Sequence, residues 1–136
     1  MSMSRELLKG LPLLIGTVLF SFPSGAFDLN GVWATDAALC DKMFEKRGSQ
    51  VTFTEISDLY GSGFVIDGTR IKGKMAQCTI KSQKEDGGTL QIAAACATAI
   101  MHQDVEFSLK IVNDKAITRL FPGMSGMEVI YYRCTL

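Results

Sequence analysis

The fold class this sequence predicts is mainly β: about eight antiparallel strands, closed as a barrel or stacked as a sandwich, with one short N-terminal α-helix. Three observations predict it. From Gln50 onward apolar residues recur with period two, most cleanly in Asp104-Val105-Glu106-Phe107-Ser108-Leu109-Lys110-Ile111. Tight-turn residues (Asp67-Gly68, Asp86-Gly87-Gly88 and Asn113-Asp114) separate these runs at short intervals, as in hairpin-connected strands. A single stretch, Ala37–Arg47, instead spaces Leu39, Cys40, Met43 and Phe44 as one apolar face of a helix.

Residues 1–26 read as a secretory signal peptide. Arg5 and Lys9 precede an apolar core, Leu11–Phe20, that is too short to span a bilayer, and Ser24-Gly25-Ala26 supplies small residues before a cut after Ala26. Residues 27–136 then form one disulfide-bonded β-domain. It is expected in the bacterial periplasm or outside the cell, with no stable membrane insertion once the leader is removed.

The first strand covers Phe27–Ala34. Thr35 or Asp36 offers a side-chain oxygen to the free amides of a first helical turn, so a helix over Ala37–Arg47 follows, closed by Gly48. Gln50–Ile56 alternates as the next strand, Ser57–Gly63 is a loop, and Phe64–Ile66 is a strand ended by Asp67-Gly68. Arg70–Gln83 and Thr89–Met101 are the arms of a central hairpin around Glu85-Asp86-Gly87-Gly88. Asp104–Ile111, Ala116–Phe121 and Met127–Thr135 complete the set, the last two joined by the loop Pro122–Gly126.

All four cysteines lie in this domain, and an even count in a small exported chain reads as two disulfides. If the central hairpin pairs positions summing to 174, Cys78 lies opposite Cys96, which leaves Cys40 to join Cys134. A four-thiolate zinc site is the weaker reading, because no Cys-x-x-Cys pair is present.

Composition excludes several classes of function. Without Arg5, Lys9 and Glu6 the domain holds 12 basic and 13 acidic side chains. Nucleic acid and anionic membranes are recognised by concentrated basic patches, and none is present. No paired-carboxylate or nucleophile–base motif occurs. The single histidine, His102, has only Asp104 on the same strand face, and Met101, Met124 and Met127 read as packing residues rather than soft copper ligands. The expectation is a non-enzymatic protein without cofactor or metal.

The run Ala93-Ala94-Ala95-Cys96-Ala97 admits two readings. Small side chains leave room for a ligand inside a barrel, or they form a flat surface on which the Leu39/Phe44 face of the helix packs. The second is the more ordinary. On the first, Phe53, Phe64, Ile92, Phe107 and Leu109 line the ligand pocket.

Gly31-Val32-Trp33 resembles the Gly-x-Trp that opens lipocalins. The resemblance implies an eight-stranded barrel whose closed end is plugged by Trp33, with Arg133, or second to it Arg119, packed over the indole. The chain departs from that family in placing its helix after the first strand rather than near the C-terminus. Ser62-Gly63, within Tyr60-Gly61-Ser62-Gly63-Phe64, is similar to the Ser/Gly-rich loop that small periplasmic lysozyme inhibitors insert into their enzyme; the rest of their motif is missing. Ile117–Met124 and Tyr131–Cys134 resemble small exported bacterial proteins of a calycin-type barrel, a likeness that carries no function with it.

These expectations converge on an exported binding protein that holds a small apolar or amphipathic ligand in its barrel. The alternative is a protein-binding module or hydrolase inhibitor acting on an exported partner through Tyr60–Phe64 or Pro122–Gly126.

Overall fold

The computed structural model describes residues 27–124 and 126–136, so the signal-peptide reading of residues 1–26 lies outside the described residues. Eight strands close into an antiparallel barrel. In barrel order they are β1 (Gly31–Ala34), β10 (Glu128–Arg133), β9 (Ala116–Leu120), β8 (His102–Asn113), β7 (Thr89–Ala97), β6 (Gln77–Asp86), β5 (Arg70–Lys72) and β4 (Gly63–Asp67). β2 (Phe44–Arg47) and β3 (Gln50–Phe53) form a separate two-stranded sheet. From β4 to β10 each strand pairs with the next in sequence, an up-and-down barrel closed by β1. Among the described residues no helix is long and apolar enough to cross a membrane.

The central hairpin sets the register. Gly87 and Gly88 form its two-residue turn, both left-handed at φ 60° and 85°, with Asp86 paired to Thr89. That is the type I′ turn, whose twist matches the flanking strands and which glycine enters at no steric cost. An unbroken ladder from this turn would set Cys96 opposite Thr79, a one-residue slip that reverses the faces. The pairing instead shifts between Ile80 and Ser82, leaving Lys81 outside the ladder as a bulge. Beyond it Cys78 faces Cys96, and the two are bonded with Cα atoms 4.0 Å apart.

The helix is shorter than Ala37–Arg47. Asp36 Oδ1 accepts a hydrogen bond from the Ala38 amide at 2.9 Å, and a 3-10 turn over Ala37–Leu39 runs into α1 (Cys40–Met43). Phe44 is already extended, at φ −130° and ψ 150°. Residues Phe44–Arg47 pair with Gln50–Phe53, so Gly48, at φ 66°, turns a hairpin rather than ending a helix. Pairing wins for a physical reason. A lone helix of the expected length is marginal in water, whereas the hairpin gives the alternating Gln50–Phe53 segment a partner. It also sets the Phe44 and Phe53 rings 4.8 Å apart.

This insert covers the outer face of β1 and β4. Val32, Ala34 and Val65 point outward into a cluster with Cys40, Met43 and Phe44, bordered by Val51, Phe53 and Tyr60. Because Trp33 faces inward, β1 is buried on both sides, and Val32-Trp33-Ala34 reads as continuous rather than alternating. The Cys40–Cys134 bond, Cα atoms 5.8 Å apart, ties the insert to the chain just past β10.

Three further expectations are corrected. Gln50–Phe53 is not a barrel strand, so Phe53 packs on Phe44 outside the barrel and lines no interior pocket. The eighth barrel strand comes from Arg70–Gln83, which breaks after Lys72 into β5 and β6, Gly73 N donating to Ala76 O at 2.8 Å across the gap. Nor does the helix pack on the alanine run. It lies against β1 and β4, while Ala94 points into the barrel with Leu90, Ile92 and Cys96.

Candidate functional site

The two ends of the barrel differ. At one end the chain entering β1 folds over the opening. Trp33 is fully buried and its indole Nε1 donates to Leu29 O at 2.9 Å. The Arg133 guanidinium lies over the Trp33 ring, 4.3 Å from its centroid, with the Phe27 ring 5.7 Å away. Its three nitrogens donate to Asp114 O at 2.9 Å, Asn30 O at 2.5 Å and Asp28 O at 2.8 Å. Gly31 makes room for it: at φ 139° it holds a backbone that L side chains rarely adopt, and a Cβ there would sit 2.9 Å from Arg133 Nη1. The first glycine of Gly31-Val32-Trp33 and the arginine near the C-terminus are therefore one steric and electrostatic unit. It closes this end.

The connections after β5, β7 and β9 all lie at the opposite end, as antiparallel topology requires. A cavity of about 230 Å³ opens there. Its walls are Phe64, Ile66, Ile92, Phe107, Leu109 and Tyr131, and Ser62, Gly63, Gly73 and Ala76 also border it. Phe64 connects the two ends, its ring 6.5 Å from Trp33 and 4.8 Å from Tyr131, edge-on to the latter. Of the five residues expected to line a pocket, Phe64, Ile92, Phe107 and Leu109 do so, and Phe53 does not.

Arg119 also lines this cavity. It pairs across the sheet with Leu109 on one side and Val129 on the other. Its guanidinium lies 4.7 Å from the Phe107 centroid and 4.6 Å from that of Phe121. Its Nε is buried with no hydrogen-bond acceptor among the described residues. The period-two pattern Ile117-x-Arg119-x-Phe121 already places Arg119 on the inward face, beside the fully buried Ile117. Tyr131 is the other polar wall residue that sequence reasoning misses, and it follows from the same parity, since it pairs with Ile117.

A larger depression, about 610 Å³, is on the outer face of the sheet. It is an open trough over Ala95 and Ala97, flanked by Arg70, Gln77, His102 and Asp104. His102 and Asp104 therefore share a solvent face with Thr79, and among the described residues no three His, Cys, Asp or Glu side chains cluster as a metal site. An open trough encloses too little of a small ligand to rival a walled cavity. Apolar side chains do crowd the connections at the open end: Met75, Ile100, Met101, Met124 and Met127 are all exposed, Ile100 at 90%.

No protein-family model, curated protein or solved structure matches this chain.

Proposed function

We propose that this chain is a non-enzymatic exported binding protein that holds a small amphipathic molecule in the open end of its barrel. One observation carries the reading: a barrel plugged at one end keeps a cavity of about 230 Å³ at the other, walled by Phe64, Ile92, Phe107, Leu109 and Tyr131. Interiors normally pack to crystal density, so walled apolar space with an opening supports a ligand. At roughly 30 Å³ per water-sized group the space takes about eight non-hydrogen atoms. The two disulfides favour a periplasmic or secreted location, since such bonds persist where thiols are not kept reduced.

Straight-chain alcohols of increasing length, titrated into isotope-labelled protein, test the reading by NMR. The amides of Ile92, Phe107, Leu109 and Tyr131 are expected to shift saturably, with affinity rising to about eight carbons and then levelling. Ile92→Trp, which fills the cavity, is expected to abolish the response. Absence of any saturable interior shift would sink the proposal.

The apolar rim favours a second reading, a protein-binding module, because clustered exposed apolar groups mark interaction surfaces. Tyr60–Phe64 fits it poorly. Thr35 N donates to Ser62 O at 2.9 Å, Thr35 Oγ1 accepts from Ser62 N at 3.2 Å, and Phe64 is part of the barrel wall. The loops around Ile100 and Pro122–Gly126 remain. Pull-down of exported proteins with the wild type and with the double variant Ile100→Ser/Met124→Ser separates the readings: a partner recovered only by the wild type favours the rim, and equal recovery counts against it.

A further inference from the structure

We infer that the molecule held in this barrel carries an anionic head, in the simplest case a carboxylate, which Arg119 binds at the cavity; the inference rests on the ligand-binding reading above. A comparison of the two inward-facing arginines carries it. Each guanidinium nitrogen of Arg133 has a partner, the three donating to three backbone carbonyls with an indole beneath. That is a structural arginine. Arg119 has two aromatic rings against its guanidinium and a buried Nε with no acceptor among the described residues.

Among the described residues no counter-ion stands in for that partner. The two cross-strand neighbours of Arg119 are Leu109 and Val129. The nearest acidic residues in the adjoining strands, Glu106 and Glu128, pair with Ala93 and Leu120, on the outward parity of the sheet. The ion pairs found among the described residues join Arg47 to Glu45 and Lys74 to Asp58. Arg119 is half-buried, and its Nε is a buried donor whose desolvation cost a ligand oxygen would offset. Contact with two rings restrains the guanidinium, and a planar fork matches a planar carboxylate by two parallel hydrogen bonds. Ser62 and Tyr131, the hydroxyls on the same lining, add neutral donors and no competing charge.

The placement also orients the ligand. β9 runs from the β8–β9 turn at the plugged end toward the open end, and Arg119 is its penultimate residue. An alkyl chain then points inward toward Ile66, with its head beside Phe107 and Phe121 and flanked by their neighbours Ile92 and Leu109, the cross-strand partners of Phe107 and Arg119. The arrangement selects anionic over neutral or cationic amphiphiles of equal chain length.

Calorimetric titration of octanoate, octyl phosphate, octan-1-ol and octylamine into the folded wild-type protein tests this. Octanoate is expected to bind roughly tenfold more tightly than octan-1-ol, with octylamine weakest. Arg119→Met is expected to erase that preference, so that octanoate binds the variant no more tightly than octan-1-ol does, as loss of the charged contact predicts. Arg119→Lys should keep part of the preference, because a point charge remains without the planar fork. Octyl phosphate tells a phosphate ester from a carboxylate as the preferred head, and tight binding of either supports the anion. If octan-1-ol binds and octanoate is no tighter, or if the preference survives in Arg119→Met, the anionic head is overturned and the cavity reading stands. If none of the four binds, both fall. Should Arg119→Met fail to fold by near-UV circular dichroism, the wild-type series and Arg119→Lys decide.

Discussion

Arg133 and Arg119 are the same residue type on two directly paired strands, β10 and β9, and their surroundings give them opposite duties. Arg133 closes the barrel: replacing it with Met removes a cation–π contact and three charged hydrogen bonds to carbonyls. The expected loss is about 3 kcal/mol of stability, read by urea denaturation with Trp33, the one tryptophan, as the fluorescent reporter. Gly31→Ala should cost about 1–3 kcal/mol by the same measurement, because it forces a side chain into an unfavourable φ and against the Arg133 guanidinium. Unchanged midpoints in both variants would contradict this account of the plug. Gly31, Trp33 and Arg133 were legible in the sequence because a short motif and a distant cation carry them. Arg119 was not, since nothing local distinguishes a satisfied arginine from an unsatisfied one. That difference depends on what lies across the sheet.

The β6–β7 hairpin shows how far local signals reach at the scale of an element. Asp86-Gly87-Gly88 announces its turn, and the facing of Cys78 and Cys96 follows from the register, but the register holds only because Lys81 bulges out of the ladder. Deleting Lys81 removes the extra residue without moving either cysteine off its partner. The deletion variant is expected to fold with the Cys78–Cys96 bond intact, as non-reducing peptide mapping would show. A scrambled bond or free thiols would mean that the bulge is needed for more than register. The insert at Ala37–Phe53 was the least legible element. Helical spacing over Leu39–Phe44 is real, but four residues of it become α1 and Phe44 already belongs to a strand. A glycine at position 48 serves a helix end and a hairpin turn equally well, and only pairing with Gln50–Phe53 decides between them. Once that hairpin leaves the barrel, Phe53 leaves the pocket with it.

At the scale of the whole molecule, one disulfide staples a hairpin and the other staples the insert to the end of the chain, with sequence separations of 18 and 94. On the loop-entropy account, removing Cys78–Cys96 as a double alanine variant costs roughly 3 kcal/mol and removing Cys40–Cys134 about 4 to 5. Thermal unfolding should therefore rank the Cys40/Cys134 variant as the less stable, and the reverse order would count against that account. The barrel these bonds secure is asymmetric. Its closed end carries the Asp67–Arg70, Asp86–Thr89 and Asn113–Ala116 turns together with the Trp33 plug. Its open end carries exposed methionines and Ile100 around a walled apolar space. The eight-stranded class was legible from periodicity and turn spacing alone. The existence of the cavity was not, because it depends on how Phe64, Tyr131 and Arg119 share the interior after β1 and the insert have taken Val32, Ala34 and Val65 to the outside. The central claim, that this space is occupied in use, is tested most directly by native mass spectrometry of the protein purified from its own source. The expected result is a retained small molecule on the wild type, absent from Ile92→Trp, whereas an identical bare protein mass for both would contradict it.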